Sequence, residues 1–280
     1  MSLQIMPRPA TSLICSFIFY VYGDDHVRSL WRCRHTVIAP WWNDDGGRAF
    51  HNNFWANVEM NLQSGQLEEH ENLLPTPESV YKMTDAEWML QAQKDDLALG
   101  MALYSRGLVS DLNMDSVRRL AEILSFDAKD LATAQPSRDI VGQLLNRYGF
   151  AATKMILAKA NDFAERNGKK LLVVLFDPGG VMRPLAEGKP RYEQEVVDFL
   201  RGKQFRFFDM NVVHVEDYKK FKVPFDEYQK RYFIGHYNPA GNHFFAHSIR
   251  DTVVEWLDPK PITYQNKDER WITFEGYLQK

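Results

Sequence analysis

The sequence predicts an α/β protein built on a parallel sheet. Two runs of nearly continuous apolar residues, 11–23 and 170–176, are typical of strands that are buried on both faces, and 205–213 is predicted to be a third strand. Helical segments of ten or more residues separate these runs, and connections of that length favour right-handed crossovers between parallel strands. With 280 residues, of which 45% are hydrophobic, the chain can form a large core. We therefore expect an α/β/α sandwich.

The first apolar run, TSLICSFIFYVYG at 11–23, is too short to cross a membrane as a helix. Its Ile, Phe, Tyr and Val content and its end at Gly23 favour a central strand of the sheet. A secretory signal peptide is the alternative, but a single arginine, Arg8, precedes the run and no small-residue cleavage motif follows it.

The segment 36–83 is predicted to be an irregular insertion. Its first part is rich in turn residues, whereas residues 54–70 alternate between polar and apolar side chains around a Ser-Gly turn. That alternation is the pattern of a β-hairpin.

After the insertion the pattern is mainly helical. Thr84, with Glu87 three residues further on, resembles a capping box and predicts a helix that begins at Thr84. A helix that begins at residue 151 is predicted to end at Gly168. Further helices are predicted at 114–125, 137–147 and 192–200, and a final helix has a face formed by Ala246, Ile249, Val253 and Trp256.

Charge and cysteine content narrow the range of functions. The net charge of −3 and the pI of about 6.3 provide no overall basic field that would attract nucleic acid. The two cysteines, Cys15 and Cys33, are too few for a disulfide framework and lack the spacing of a metal site. We expect no nucleic-acid partner, no membrane span, no metal and no cofactor.

The sequence HYNPAG, His236 to Gly241, stands directly before the final helix. A histidine held there by a proline-set turn and a close-packed glycine is positioned to accept or donate a proton. This block resembles the last sequence block of the SGNH, or GDSL-type, hydrolases, in which the histidine is the general base of a serine esterase. The resemblance implies a flavodoxin-like parallel sheet and a catalytic role for His236.

A second block, Gly23-Asp24-Asp25, follows the first predicted strand. It resembles the third block of the same family, Gly-x-Asn-Asp, which contributes to the oxyanion hole. The resemblance assigns oxyanion or substrate binding to Gly23, Asp24, Asp25 and Asn238, and we expect Gly23, Asp24 and His236 to face one cleft. Asp24 stands where the family has Asn, and an ionised carboxylate has no proton to donate and repels an oxyanion.

A different alignment makes the same three residues the first block, Gly-Asp-Ser, with Asp25 in the place of the nucleophile. The insertion at 36–83 argues against it, because insertions of that kind follow the third block in larger relatives. In the favoured alignment the chain begins at the third block, so the sheet lacks the first strands of the family.

Two parts of the serine esterase machinery are missing from the sequence. Ser2 and Ser12 do not stand in a Gly-Asp-Ser context, and Phe233 occupies the position three residues before the histidine where the family has its acid. The carboxylates nearby in sequence are Asp209, Asp217, Asp226 and Glu227, each of which we interpret as a surface charge.

The sequence thus predicts an SGNH-like hydrolase of acyl or acetyl esters, truncated at its N-terminus or degenerate. Its substrate would be a small-molecule, glycan or lipid ester. Residues 1–258 would form one domain with the insertion, and residues 259–280 a C-terminal extension. The alternative is a catalytically idle SGNH-like domain that binds a carbohydrate, a lipid or a partner protein.

Three weaker candidates have simpler structural explanations. Asp177 begins a glycine-rich stretch after the second strand, which we interpret as a turn. His243 and His247 lie one helical turn apart, as two metal ligands would, but on a mostly apolar helix they are interpreted as boundary residues. Four aromatic residues of the insertion could form a carbohydrate-stacking platform, but we interpret them as hydrophobic cover for the insertion: Trp41, Trp42, Phe54 and Trp55.

Overall fold

A computed structural model describes residues 16–22, 30 and 57–257, except 75, 77, 128 and 134. The fold is mixed and mostly helical, with two small sheets. The described residues form five strands: β1 (Ser16–Tyr22), β2 (Asn57–Asn61), β3 (Gln66–His70), β4 (Lys170–Phe176) and β5 (Phe207–Asp209).

Nine α-helices accompany these strands in the part of the chain that the structure describes. They are α1 (Ala86–Ala92), α2 (Leu97–Ser105), α3 (Met114–Ile123), α4 (Arg138–Arg166), α5 (Arg183–Ala186), α6 (Gln194–Gly202), α7 (Met210–Tyr218), α8 (Phe225–Tyr232) and α9 (Pro239–Leu257).

The parallel sheet has the strand order β1-β4-β5. Strand β4 pairs with β1 along its whole length, from Ser16 opposite Lys170 to Tyr22 opposite Phe176. On its other side β4 pairs with β5 over three residues. The parallel arrangement that the sequence predicts for these three strands is therefore confirmed.

Helices cover both faces of β4. Leu171, Val173 and Leu175 point to one face and pack in a cluster, here called the sheet core, with residues of α4 and α6. Leu172 and Val174 point to the other face, where Ile249 and further residues of α9 cover them. Because both faces are buried, β4 is apolar from Leu171 to Phe176 and does not alternate.

The hairpin β2–β3 belongs to a second cluster, here called the helical core. Strand β2 contributes Val58, which packs against α2, α3 and the first half of α4. The predicted hairpin is confirmed, and its strands pair in antiparallel register around residues 62–65.

One predicted strand is mostly helical. The strand expected at 205–213 consists only of Phe207–Asp209, and α7 begins at the next residue. Asp209 ends the strand because its carboxylate accepts hydrogen bonds from the backbone amides of Asn211 and Val212 and so caps α7. Of the apolar residues that suggested a continued strand, Met210 is buried in α7, whereas Val212 is exposed on it.

Two predicted helices are one helix. The helices expected at 137–147 and from 151 are the continuous 29-residue α4, with Gly149 in its interior. Tyr148 packs in the helical core and Phe150 in the sheet core, so burial on both sides of Gly149 outweighs its unfavourable helix propensity of about 1 kcal/mol. Gly168, at φ +59°, follows the end of this helix as predicted.

Smaller differences concern helix ends and faces. The N-cap of α1 is Asp85, one residue after the predicted Thr84. Helix α6 is displaced by two residues from the predicted 192–200. On α9, Ile249, Val253 and Trp256 pack against the sheet as predicted, but Ala246 is exposed and Phe245 takes its place.

Candidate functional site

The HYNPAG block forms the turn between α8 and α9 and the start of α9. Asn238 is the residue before the first residue of α9, and its side-chain oxygen accepts a hydrogen bond of 2.9 Å from the Gly241 amide. Its side-chain nitrogen donates to the Arg231 carbonyl at the end of α8. Asn238 is thus an N-cap that also connects the two helices, which gives this proposed substrate-binding residue a structural role.

Gly241 allows the closest approach in this block. A Cβ atom at Gly241 would collide with the Tyr237 ring and the Tyr232 carbonyl oxygen, so the expected close-packed glycine is found here. The turn also requires Gly235, whose φ of +92° is one that side chains rarely adopt. Phe233 and Tyr237 form an isolated antiparallel bridge across this turn.

The turn lies over the carboxyl end of the parallel sheet. Phe176, the last residue of β4, stacks against Phe233 and Tyr237, with ring centroids 5.6 and 5.0 Å away. Tyr22, the last residue of β1, is the sheet partner of Phe176. His236 is therefore held at the edge where active groups gather in parallel α/β proteins.

The imidazole of His236 is exposed and has a defined hydrogen bond. Its Nδ1 lies 2.8 Å from the carbonyl oxygen of Tyr237. Because a carbonyl oxygen can only accept, Nδ1 carries the proton, and the neutral ring has its lone pair on Nε2. This tautomer is the one that a general base requires when Nε2 faces the substrate.

The proposed oxyanion block, Gly23-Asp24-Asp25, lies outside the described residues. The cleft expected between these residues and His236 therefore also lies outside the described part of the chain. Four aromatic residues of the insertion lie outside the described residues as well: Trp41, Trp42, Phe54 and Trp55.

The four candidate acids either bond to residues other than His236 or are exposed to solvent. Asp209 pairs with the buried Arg191, and Asp217 accepts hydrogen bonds from Tyr228 and Tyr232. Asp226 is exposed and pairs with Arg183, whose guanidinium lowers the pKa of that carboxyl. Glu227 is exposed on α8. Among the described residues, no carboxylate hydrogen-bonds to His236.

Asp209 and Asp217 differ from the surface charges that the sequence predicts. The side chains of these two residues are only 12% and 15% exposed. A carboxylate is buried to this extent when partners satisfy it, and in both cases some of the partners are distant in sequence: Arg191 for Asp209, and Tyr228 and Tyr232 for Asp217.

Sequence reasoning did not identify Arg191, Glu193 and Asn211, which bond to one another or to the aspartates at the ends of β4 and β5. Arg191 donates to both Glu193 and Asp209, and all three side chains are nearly buried. Burial raises the pKa of the Glu193 carboxyl, and Arg191 opposes this increase. Asn211 is fully buried and accepts a hydrogen bond from the Asp177 amide. The sequence signal for this buried polar group is limited to two opposite charges two residues apart, Arg191 and Glu193.

The glycine-rich stretch after β4 is a short helical turn. The Asp177 carboxylate accepts hydrogen bonds from the Gly179 and Gly180 amides and from the Tyr192 hydroxyl. These contacts give Asp177 a capping role within the turn that the sequence predicts.

The remaining candidate was a pair of histidines on α9. His243 and His247 are both exposed, and their ring centroids lie 6.4 Å apart. Within the described part of the chain there is no cluster of three or more His, Cys, Asp or Glu residues that could hold a metal ion. The helices that the structure describes include none with the length and apolar character needed to cross a membrane.

Comparisons with known proteins do not assign the chain to a class. No protein-family description, curated protein or solved structure matches it. Its function must therefore be inferred from the site itself.

Proposed function

We propose that the protein is an SGNH-like hydrolase of acyl or acetyl esters, with His236 as its general base. The observation that carries this proposal is the position of His236 at the carboxyl end of the parallel sheet, with its Nδ1 proton bound to the Tyr237 carbonyl. A small-molecule, glycan or lipid ester would be the substrate.

The arrangement of helices around the sheet supports the same proposal. Helices α4 and α6 pack on one face of β4 and α9 packs on the other, with the histidine turn leading directly into α9. An α/β/α sandwich of the flavodoxin-like SGNH type has its helices in these places.

In the proposed reaction, Nε2 of His236 removes the proton of a serine hydroxyl while the oxygen attacks the ester carbonyl. The resulting imidazolium then donates its proton to the leaving alkoxide. The Tyr237 carbonyl orients the ring and accepts its Nδ1 proton, but as a neutral group it stabilises the imidazolium less than a carboxylate would.

The test uses two forms of the protein, the 280-residue chain and the same chain preceded by the in-frame upstream coding sequence. If that sequence encodes Gly-Asp-Ser after a hydrophobic strand, the longer form should hydrolyse p-nitrophenyl esters. His236→Ala should then reduce turnover by about 10²–10⁴-fold, the usual contribution of a general base. The matched control is His243→Ala, which removes another exposed histidine from the same part of the chain and should leave turnover unchanged.

Two results would contradict the hydrolase proposal. One is a longer form that contains Gly-Asp-Ser and is inactive on both acetyl and longer acyl esters. The other is turnover that persists in His236→Ala, since the serine would then have a different base.

An idle SGNH-like domain that binds a carbohydrate, a lipid or a partner protein is the second candidate. The observation that favours it is that Asn238 has both its amide oxygen and its amide nitrogen bonded within the turn, so the block has a structural use without catalysis. An upstream sequence without Gly-Asp-Ser would favour this candidate over the hydrolase.

A further inference from the structure

Helix α7 has a histidine, His214, on its buried side. His214 is fully buried, and a tyrosine hydroxyl lies within hydrogen-bond distance of each ring nitrogen. Tyr228 is 2.9 Å from Nδ1, and Tyr237 is 2.7 Å from Nε2. Tyr237 directly follows His236 in the sequence. The buried His214 ring therefore contacts the residue whose backbone carbonyl holds the exposed His236 ring.

The direction of these hydrogen bonds follows from two groups near the Tyr228 hydroxyl that can only accept, the Asp217 carboxylate and the His214 carbonyl. The Tyr228 hydroxyl donates to the Asp217 carboxylate or to the His214 carbonyl, 3.2 and 3.0 Å away. It can therefore accept the Nδ1 proton of His214, which leaves Nε2 to accept the hydroxyl proton of Tyr237. The resulting chain of donors runs from Tyr237 to His214 to Tyr228, and the Tyr228 hydroxyl hydrogen goes to Asp217 or to the His214 carbonyl. Tyr232 also donates a hydrogen bond to Asp217.

This chain requires a neutral imidazole. Burial lowers the pKa of His214 to about 4, so the ring is uncharged near neutral pH and its Nε2 lone pair is available to Tyr237. A protonated ring would have a second N–H in place of that lone pair and could not accept the Tyr237 proton.

Tyr237 connects the buried chain to His236 by two different groups. Its hydroxyl bonds to His214, and its ring stacks on Phe176 at the end of β4. Its backbone carbonyl accepts the Nδ1 proton of His236. Fixing the Tyr237 side chain therefore fixes the carbonyl that selects the tautomer of His236.

We propose that His214 is a positioning residue for His236, because it anchors Tyr237 and so keeps the Tyr237 carbonyl in place to hold the Nδ1 proton of the exposed ring. The catalytic meaning of this inference rests on the proposed function. The structural part of it, control of the His236 tautomer, does not require hydrolysis.

The test measures the tautomer of His236 by long-range nitrogen–proton correlation NMR near neutral pH. In the wild-type chain the Nδ1–H form should predominate. Tyr237→Phe removes the hydroxyl but keeps the ring, and should shift the tautomer ratio towards Nε2–H by about fivefold, the effect of one net hydrogen bond. Tyr232→Phe is the matched control, because it removes a hydroxyl that bonds to Asp217 and not to His214; it should leave the ratio unchanged.

Two variants of His214 complete the test. His214→Leu should shift the His236 tautomer as Tyr237→Phe does, whereas His214→Gln, which retains an acceptor near the position of Nε2, should restore most of the wild-type ratio. If His214 only stabilised the fold, His214→Leu and His214→Gln would not differ in the tautomer of the exposed His236 ring.

The inference is overturned if wild-type His236 is mainly Nε2–H, or if Tyr237→Phe and His214→Leu leave its tautomer unchanged. Failure of the proposed function is seen separately, as absent or His236-independent ester hydrolysis. The NMR result can therefore support the positioning role even when no hydrolysis is found.

Discussion

At the scale of single residues, His214 makes the stability of the protein depend on pH. Its pKa is about 4 in the folded protein, because of burial, and 6.5 for an unperturbed ring. Between these values the unfolded state binds more protons, so the free energy of unfolding is fully present above about pH 6.5 and falls as the pH decreases towards 4.

We predict that this loss amounts to about 3 kcal/mol, at about 1.4 kcal/mol for each unit of pKa difference. Urea unfolding at several pH values measures it. His214→Gln has no titrating ring and should show a smaller pH dependence over the same range, although its stability at neutral pH is lower. Equal slopes for both proteins would show that groups other than His214 cause the dependence.

Gly241 provides a second prediction at this scale. Gly241→Ala places a methyl group against the Tyr237 ring and the Tyr232 carbonyl, and the backbone carbonyl cannot move without disturbing the end of α8. We expect a loss of about 3 kcal/mol, the upper range for overpacking.

The matched control for this substitution is Gly202→Ala, at the end of α6. A Cβ atom there meets no other atom within 4 Å, so this variant should be unchanged or more stable by about 0.5–1 kcal/mol. Thermal unfolding compares the two variants. Similar stabilities would mean that the turn accommodates a side chain at Gly241.

At the scale of elements, the junction of α8 and α9 depends on one side chain. Asn238 caps α9 and also bonds to the last turn of α8, whereas Asn113 caps α3 through a single hydrogen bond to the Ser116 amide. The two residues therefore differ in what they connect.

We predict that Asn113→Ala costs about 1 kcal/mol and Asn238→Ala about 2 kcal/mol, since the second variant loses a cap and an additional hydrogen bond. Urea unfolding measures both costs. Asn238→Asp, which keeps the capping oxygen and loses the donor to Arg231, should lie between the wild type and Asn238→Ala. Equal costs at positions 113 and 238 would show that the bond to α8 contributes nothing.

At the scale of the whole molecule, α4 joins two hydrophobic cores. Its first half packs in the helical core with α2 and α3, and its second half packs in the sheet core behind β4. The histidine turn lies at the carboxyl end of the sheet, where Tyr237 stacks on Phe176. Catalysis by such a site needs groups from several elements at once.

For this reason we predict that the 280-residue chain hydrolyses short-chain p-nitrophenyl esters hardly faster than buffer. The chain contains no Gly-Asp-Ser sequence, Phe233 stands in the usual place of the acid, and Asp24 stands where an amide donor belongs. The rate of p-nitrophenol release checks the prediction. Rapid turnover that is blocked by serine reagents and unaffected by His236→Ala would show that both the nucleophile and the site lie elsewhere.

The sequence alone determined the elements whose patterns are local. Strand β4, the hairpin, the C-terminal helix and the capped turn at His236 were predictable, because apolar periodicity and cap residues act within a few positions of the chain. The parallel direction of β1, β4 and β5 followed from the long helical connections between them.

Only the tertiary structure decided which distant residues meet. The residues after Asp209 form a helix whose Val215 and Tyr218 pack against α8 and its neighbours. Helix α4 is continuous because two cores bury residues on either side of Gly149. The burial of His214 between Tyr228 and Tyr237 follows no local pattern. Local sequence specifies periodicity and capping, whereas hydrogen bonds between buried groups depend on contacts that form only when the elements pack together.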